Sequence, residues 1–280
     1  MIPNLPTTFG VPLDVLNGYL KSLYDADWND PRGAIRFSDR VRLDELAKAD
    51  FFHNTRTYLN ALLAEGGTAA TATGCLNRVF VGRMFNELRL VPEYRETLRR
   101  HCKTMNEMDI WPLHKVRLVA EYGKLTAQRN KRLAVTKLGR ELLADARAGE
   151  LFRRLFLIYF RTMDLCYLVH MREMPEIQAT LALTLWRLEQ VAEKWRAVKG
   201  IAGQIFPPRL TAHIVGQQRS EFDDPDFFVT TYVLTPLKDF GLVERQRESE
   251  WGVDETDVVR VTPLFRRLIG FAELPATWHN

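Results

Sequence analysis

The side chains best placed to do chemistry in this chain are cations. Arg129-Asn130-Lys131-Arg132 puts three positive charges on what reads as the tip of a short hairpin. From Lys124 to Arg140 there are six basic residues (Lys124, Arg129, Lys131, Arg132, Lys137 and Arg140) and no acidic one. Such a tip suits contact with phosphate, where affinity comes from charge neutralisation and counterion release. The competing reading is a solvated hairpin whose charges keep an edge strand from pairing with another chain. Composition leaves both open. A second hairpin-like run, Glu244 to Arg260, reverses the count, with six acidic residues (Glu244, Glu248, Glu250, Asp254, Glu255 and Asp257) against three basic. Beside phosphate it would be repelled, so it points to a structural or protein-contacting role.

Catalytic chemistry finds less support. The six histidines, His53, His101, His114, His170, His213 and His279, show no His-Glu-x-x-His or His-x-His spacing. Asp223-Asp224-x-Asp226 resembles half a metal loop, but it stands before a helix that it would cap. No Gly-x-Gly-x-x-Gly, P-loop or Gly-x-Ser-x-Gly element is present. Cys75, Cys102 and Cys166 are far apart and odd in number, which gives no disulfide framework and fits a reducing cytoplasm. Cys166 reads as packing and His101-Cys102 as an isolated pair in a basic helix. The expectation is a protein with no catalytic residue, no metal and no cofactor.

The elements that must position the hairpins follow from periodicity. At 280 residues, 46% hydrophobic and 26% charged, the chain is long enough for one large or two ordinary globular domains. Its net charge of +4 makes the distribution of charge matter more than the total. Met1 to Pro6 lacks the basic and apolar regions of a signal peptide. Helices are expected over 13–24, 38–48, from Asp50 or Asn54 through Ala64, and over 76–88, 92–103 and 111–122, with a short strand over 68–73. A long apolar helix spans Glu150 to Arg172, too interrupted by Arg161, Asp164 and His170 to cross a membrane. An amphipathic helix runs from Ala179 to Lys199, with Leu181, Leu185, Leu188, Ala192 and Trp195 on one stripe. A last helix covers 225–240.

One pattern occurs twice: helix, Gly, strand, turn, strand, Thr, helix. The first copy runs through Gly123, Thr126 to Val135 and Thr136, and the second through Gly241, Val243 to Val261 and Thr262. In each the Gly would end a helix in a left-handed conformation and the Thr would cap the next one. This is the pattern of a winged helix, a helix-turn-helix variant that commonly holds DNA. The expected fold is therefore mainly α with small β-hairpins, with two winged-helix units around a central helical region. The segments are 1–50, 51–147 (unit 1), 148–205 (central helices) and 206–274 (unit 2). Helix 107–122 would present His114, Lys115, Arg117 and Glu121 outward, with Leu113, Val116 and Val119 in the core. Arg95, Arg99, Arg100 and Lys103 would enlarge a positive surface.

The run from Phe51 to Leu143 also resembles uncharacterised bacterial and plasmid-encoded proteins near the pRiA4b ORF-3-like group. The matching features are Phe52-His53-Asn54-Thr55-Arg56, Thr73-Gly74-Cys75-Leu76-Asn77-Arg78-Val79-Phe80-Val81, Asn106-Glu107 and Thr136-Lys137-Leu138-Gly139-Arg140. Phe222-Asp223-Asp224-Pro225 and Asp239-Phe240-Gly241-Leu242 extend it. The resemblance implies a mobile-element or accessory-protein context and no established activity. The expected function is non-catalytic binding of double-stranded DNA by a cytoplasmic regulator, through Lys115, Arg117, Lys124, Arg129, Lys131 and Arg132. The alternative is a protein-interaction scaffold using the second wing. A homodimer through helix 150–172 is an expectation by analogy alone, and no membrane partner is expected.

Overall fold

The computed structural model describes residues 13–217, 224–246, 253 and 255–273. Phe222, Asp223, Glu248, Glu250, Asp254 and His279 lie outside the described residues. The chain forms two compact units: one holds residues 39–164, the other joins residues up to 38 with those from 165 onward. That second pairing spans the chain, and linear segments cut at 50, 147 and 205 do not contain it.

The split unit begins with α1 (Leu13–Tyr24) and β1 (Ile35–Phe37). Leu16, Tyr19, Leu20 and Leu23 face inward and pack on Leu183 and Trp186, with the Tyr19 and Trp186 rings edge to face at 5.4 Å. The helix expected over 38–48 is only a 3-10 turn at Leu43–Leu46.

The continuous unit follows: α2 (Asp50–Ala64), β2 (Thr68–Ala69), α3 (Arg78–Glu87), α4 (Pro92–His101) and α5 (Trp111–Tyr122). Then come β3 (Thr126–Arg129), β4 (Arg132–Val135), α6 (Lys137–Leu142) and α7 (Ala148–Leu157). Its core is aromatic, with Phe52, Tyr58, Phe80, Phe152, Phe156, Tyr159 and Phe160 fully buried. The expected long helix 150–172 is not one element. α7 runs into a π-helical turn at Ile158–Thr162 and stops at Met163, where the units divide. Its apolar side chains Leu151, Phe152, Leu155 and Phe156 are buried in the core of the unit.

The chain returns to the split unit with α8 (Leu165–Val169), α9 (Pro175–Ala179), α10 (Leu181–Val191) and β5 (Arg196–Ala197). α11 (Ala202–Ile205), α12 (Pro208–Gly216), α13 (Pro225–Val229) and α14 (Thr235–Asp239) come next. β6 (Val243–Gln246), β7 (Val258–Val261), α15 (Pro263–Leu268) and β8 (Ile269–Phe271) complete it. The helix expected through Lys199 ends early because the Ala192 carbonyl accepts the Val261 N–H at 2.8 Å, drawing the chain into strand β5. Trp195 therefore leaves the expected core stripe and is 37% exposed. Between α13 and α14 the helix widens into a π turn at Thr230–Leu234. Pro236 explains it, because its ring would collide with the Tyr232 carbonyl four residues earlier in a regular helix.

Each unit carries one three-stranded antiparallel sheet of the same order, β2-β4-β3 and β5-β7-β6. The likeness extends to single hydrogen bonds. Leu125 N–H donates to Ala120 at 2.8 Å, and Leu242 N–H to Leu237 at 2.9 Å. Thr136 N–H returns to Leu125 at 2.9 Å, and Thr262 N–H to Leu242 at 3.0 Å. The Thr136 hydroxyl donates to the Lys124 carbonyl (2.7 Å) and accepts from Gly139 N–H (3.0 Å). The Thr262 hydroxyl does the same with Gly241 (2.8 Å) and Phe265 (3.4 Å). One detail departs from expectation. Gly241 is left-handed at φ 69°, but in the first copy the left-handed residue is Lys124, at φ 57°. Gly123 stays right-handed, and its need is for space, since a Cβ there would sit 2.9 Å from the Val119 carbonyl.

Candidate nucleic-acid interface

Strands β3 and β4 pair from Thr126↔Val135 to Arg129↔Arg132, leaving Asn130-Lys131 as a two-residue turn. Both turn residues are left-handed, at φ 50° and 57°, the mirror-image turn whose twist matches a hairpin. Lys124, Arg129 and Lys131 are exposed, and their side chains carry no ion pair among the described residues. Arg132 is held differently: its guanidinium donates to the Gly67 carbonyl at 2.8 Å and to Gly66 at 3.3 Å. It anchors the hairpin to the α2–β2 turn, leaving part of its charge outward. Gly67 permits that approach, being at φ 92° with no room for a Cβ beside the Leu133 carbonyl.

Helix α5 corrects the sequence reading. His114 and Arg117, expected outward, are buried around a carboxylate with no exposed surface. Glu107 Oε1 lies 2.6 Å from His114 Nδ1 and 2.5 Å from Arg117 Nε, while Oε2 accepts the Leu76 N–H at 2.7 Å. Arg117 also reaches Glu121 at 2.8 Å. Burial alone would push the Glu107 carboxyl up, but His114, the Leu76 amide and Arg117 outweigh it and hold it below the usual carboxylate range. Burial would likewise lower Arg117, and the Glu107 charge beside it raises it instead. Arg117 is thus a core residue, unable to reach a groove. Lys115 is half-buried, its ammonium 5.8 Å from the centre of the Tyr159 ring. Only Glu121 and Tyr122 of α5 are exposed, each about half. The polar triplet at 114, 117 and 121, one helix face spaced i, i+3 and i+7 with Glu107 seven residues earlier, was the available signal for an internal network.

The hairpin of the split unit differs in electrostatics. Arg245 pairs with the buried Asp257 at 2.5 Å. Arg260 pairs with Glu244 at 2.6 Å and lies over the Trp195 ring at 4.5 Å. Lys199 pairs with Glu255. Its described cations are neutralised where they stand.

Elsewhere, Arg95 is tied to the carbonyls of Phe85 and Leu88, and Arg99 to Glu96 at 2.9 Å, while Arg100 and Lys103 are exposed. Asp224 caps α13 by accepting the Phe227 N–H at 2.7 Å, and Asp226 accepts from the amides of Gly200 and Ala202. Asp224 and Asp226 are therefore occupied by backbone amides. His101 Nδ1 lies 2.8 Å from the Thr97 carbonyl. Among the described residues no cluster of His, Cys, Asp and Glu is placed to hold a metal, and no helix is long and apolar enough to cross a membrane.

A family model described as the Y4jL N-terminal domain matches residues 47–148. That stretch holds α2 to α6 and coincides with the run from Phe51 to Leu143 that carries the resemblance. The link is to that family, and none to the pRiA4b ORF-3-like group emerges. No curated protein and no solved structure matches the chain.

Proposed function

We propose that residues 47–148, the stretch that matches the Y4jL N-terminal domain, form a winged-helix unit that binds duplex DNA without catalysing a reaction. The β3–β4 hairpin is its wing. The reading extends to a regulator of transcription or of a mobile element, working in a reducing cytoplasm where Cys75, Cys102 and Cys166 form no disulfide.

The observation that carries it is the contrast between two hairpins of the same topology. Lys124, Arg129 and Lys131 hold no ion pair among the described residues, whereas Arg245 and Arg260 are both matched to carboxylates. Cations without a carboxylate partner can exchange their counterions for phosphates, and cations locked to carboxylates cannot do so without losing that partner. The element order supports the same reading: α2, β2, α3, an additional helix α4, α5 and then the hairpin, with β2 joining the sheet through β4.

Fluorescence anisotropy of a labelled duplex, titrated over a range of salt, is the test. Replacing Lys124, Arg129 and Lys131 with Ala should weaken binding and flatten the plot of log affinity against log salt by about 0.9 for each phosphate that is no longer neutralised. If the unaltered protein binds no duplex at low salt, the proposal fails.

For the split unit the internal neutralisation of β6–β7 favours the second reading, a protein-contacting module. Cross-linking that traps a protein partner on Trp195 or Gln246 would support it, and a duplex cross-linked there would refute it.

A further inference from the structure

The proposed function leaves open which helix meets the bases, and α5 is poorly suited because its central residues are buried. Helix α3 is not. Its outward stripe is Val79, Gly82 and Asn86, spaced i, i+3 and i+7, with Arg78 and Arg83 beside it. Val79 is 86% exposed, the most exposed large apolar residue described. A Cβ built on Gly82 would meet no heavy atom within 4 Å, so nothing in this chain needs the glycine there. A glycine in mid-helix disfavours the helix.

This face is rigidly joined to the basic hairpin. The Asn77 side chain caps α3 by accepting the Phe80 N–H at 3.0 Å, and donates to Thr68 Oγ1 (2.7 Å) and to the Ala69 carbonyl (3.0 Å) of β2. Ala69 pairs with Arg132 of β4, and the next amide, Ala70, donates to the Lys131 carbonyl at 2.8 Å. The first turn of α3 and the hairpin tip therefore share one sheet edge. Arg83 is matched by two carboxylates, Glu87 at 2.7 Å and Glu65 at 2.8 Å, which leaves Arg78, whose guanidinium donates to Asn106 Oδ1 at 2.9 Å, as the arginine of this face with no carboxylate partner among the described residues.

We propose that α3 is the helix that enters the major groove, with Val79, Gly82 and Asn86 toward the base edges and Arg78 toward the backbone. This rests on the DNA-binding reading above. The chemistry suits the roles: an apolar side chain meets thymine methyl groups, an Asn amide matches adenine, and a glycine lets the helix lie close.

The experiment compares a duplex selected for tight binding with a random duplex, using the full chain and anisotropy. Val79→Asp and Gly82→Gln should each lower affinity for the selected duplex about tenfold or more, toward that for the random one. Both should leave thermal melting in place, since an acid in the first turn and a helix former in the middle suit an isolated helix. Lys131→Ala should weaken both duplexes alike. If Lys131→Ala weakens binding while the two α3 variants bind and discriminate like the unaltered protein, this inference is overturned and the wing reading stands. If the unaltered protein binds neither duplex, the wing reading fails and takes this one with it. A change in sedimentation of the free protein with Val79→Asp, without change in duplex binding, would give the face to a second copy and also overturn it.

Discussion

At the scale of single residues, the most consequential side chain is Glu107, an ionised group shut away from water and kept charged by three donors. Its carboxyl is held low, so the native state binds fewer protons near pH 4 than the unfolded chain, whose Glu titrates near about 4.3. The stabilisation is present above that value and is lost as pH falls through the lower, folded one. Glu107→Gln should cost roughly 3–5 kcal/mol at pH 7, because it leaves Arg117 with only the half-exposed Glu121. It should also shrink the fall in stability toward acid. Urea unfolding followed by circular dichroism at a series of pH values reads both, and an unchanged acid limb would contradict the assignment. Sequence alone displayed the hairpin cations, because a run of six bases without an acid needs no tertiary knowledge. It misplaced His114 and Arg117, since polarity argues for solvent and only a partner outside the helix, Glu107, overrides it.

Among the elements, the β3–β4 hairpin is where the proposed binding and stability would pull in opposite senses. Asn130 tolerates a left-handed backbone, but Lys131 adopts it at a cost of about 1 kcal/mol. Lys131→Gly should therefore raise the midpoint of thermal unfolding while weakening duplex binding through the lost charge. A fall in both would show that the turn is not strained. The caps give a second measurement. Thr136→Ala and Thr262→Ala should each destabilise by about 1 kcal/mol, and by similar amounts, because the two hydroxyls make the same bonds. The repeated helix–hairpin–helix pattern was legible because Gly, Thr and strand residues act locally. α10 was read too long because the bond that ends it comes from Val261, and the apolar run after Glu150 was read as one helix because periodicity carries no mark of the break at Met163. The exposed face of α3 was missed for the converse reason: Val79 in an apolar pattern looks like core, and only burial distinguishes the two.

For the molecule as a whole, the division at Ser38/Asp39 and Asp164/Leu165 makes a continuous unit interrupt a discontinuous one. Its core of Phe52, Tyr58, Phe80, Phe152 and Phe156 is drawn from its own sequence. A fragment of residues 39–164 should then unfold cooperatively in urea and retain duplex binding. A fragment without a cooperative transition would mean that this core needs the rest of the chain. The split unit has no such fragment, because β1 and β8 lie at opposite ends of it and pair as Ile35↔Phe271, Arg36↔Gly270 and Phe37↔Ile269.

That small ladder sets a clock. During synthesis Ile35 emerges early and its partner strand leaves the ribosome only at the end of the unit. At about 5–20 residues per second the wait is tens of seconds, during which β1 is an unpaired edge. The continuous unit can be finished well inside that interval, so the order of completion runs from the middle of the chain outward. A translational stall before Phe271 would leave a formed continuous unit attached to an unfinished neighbour.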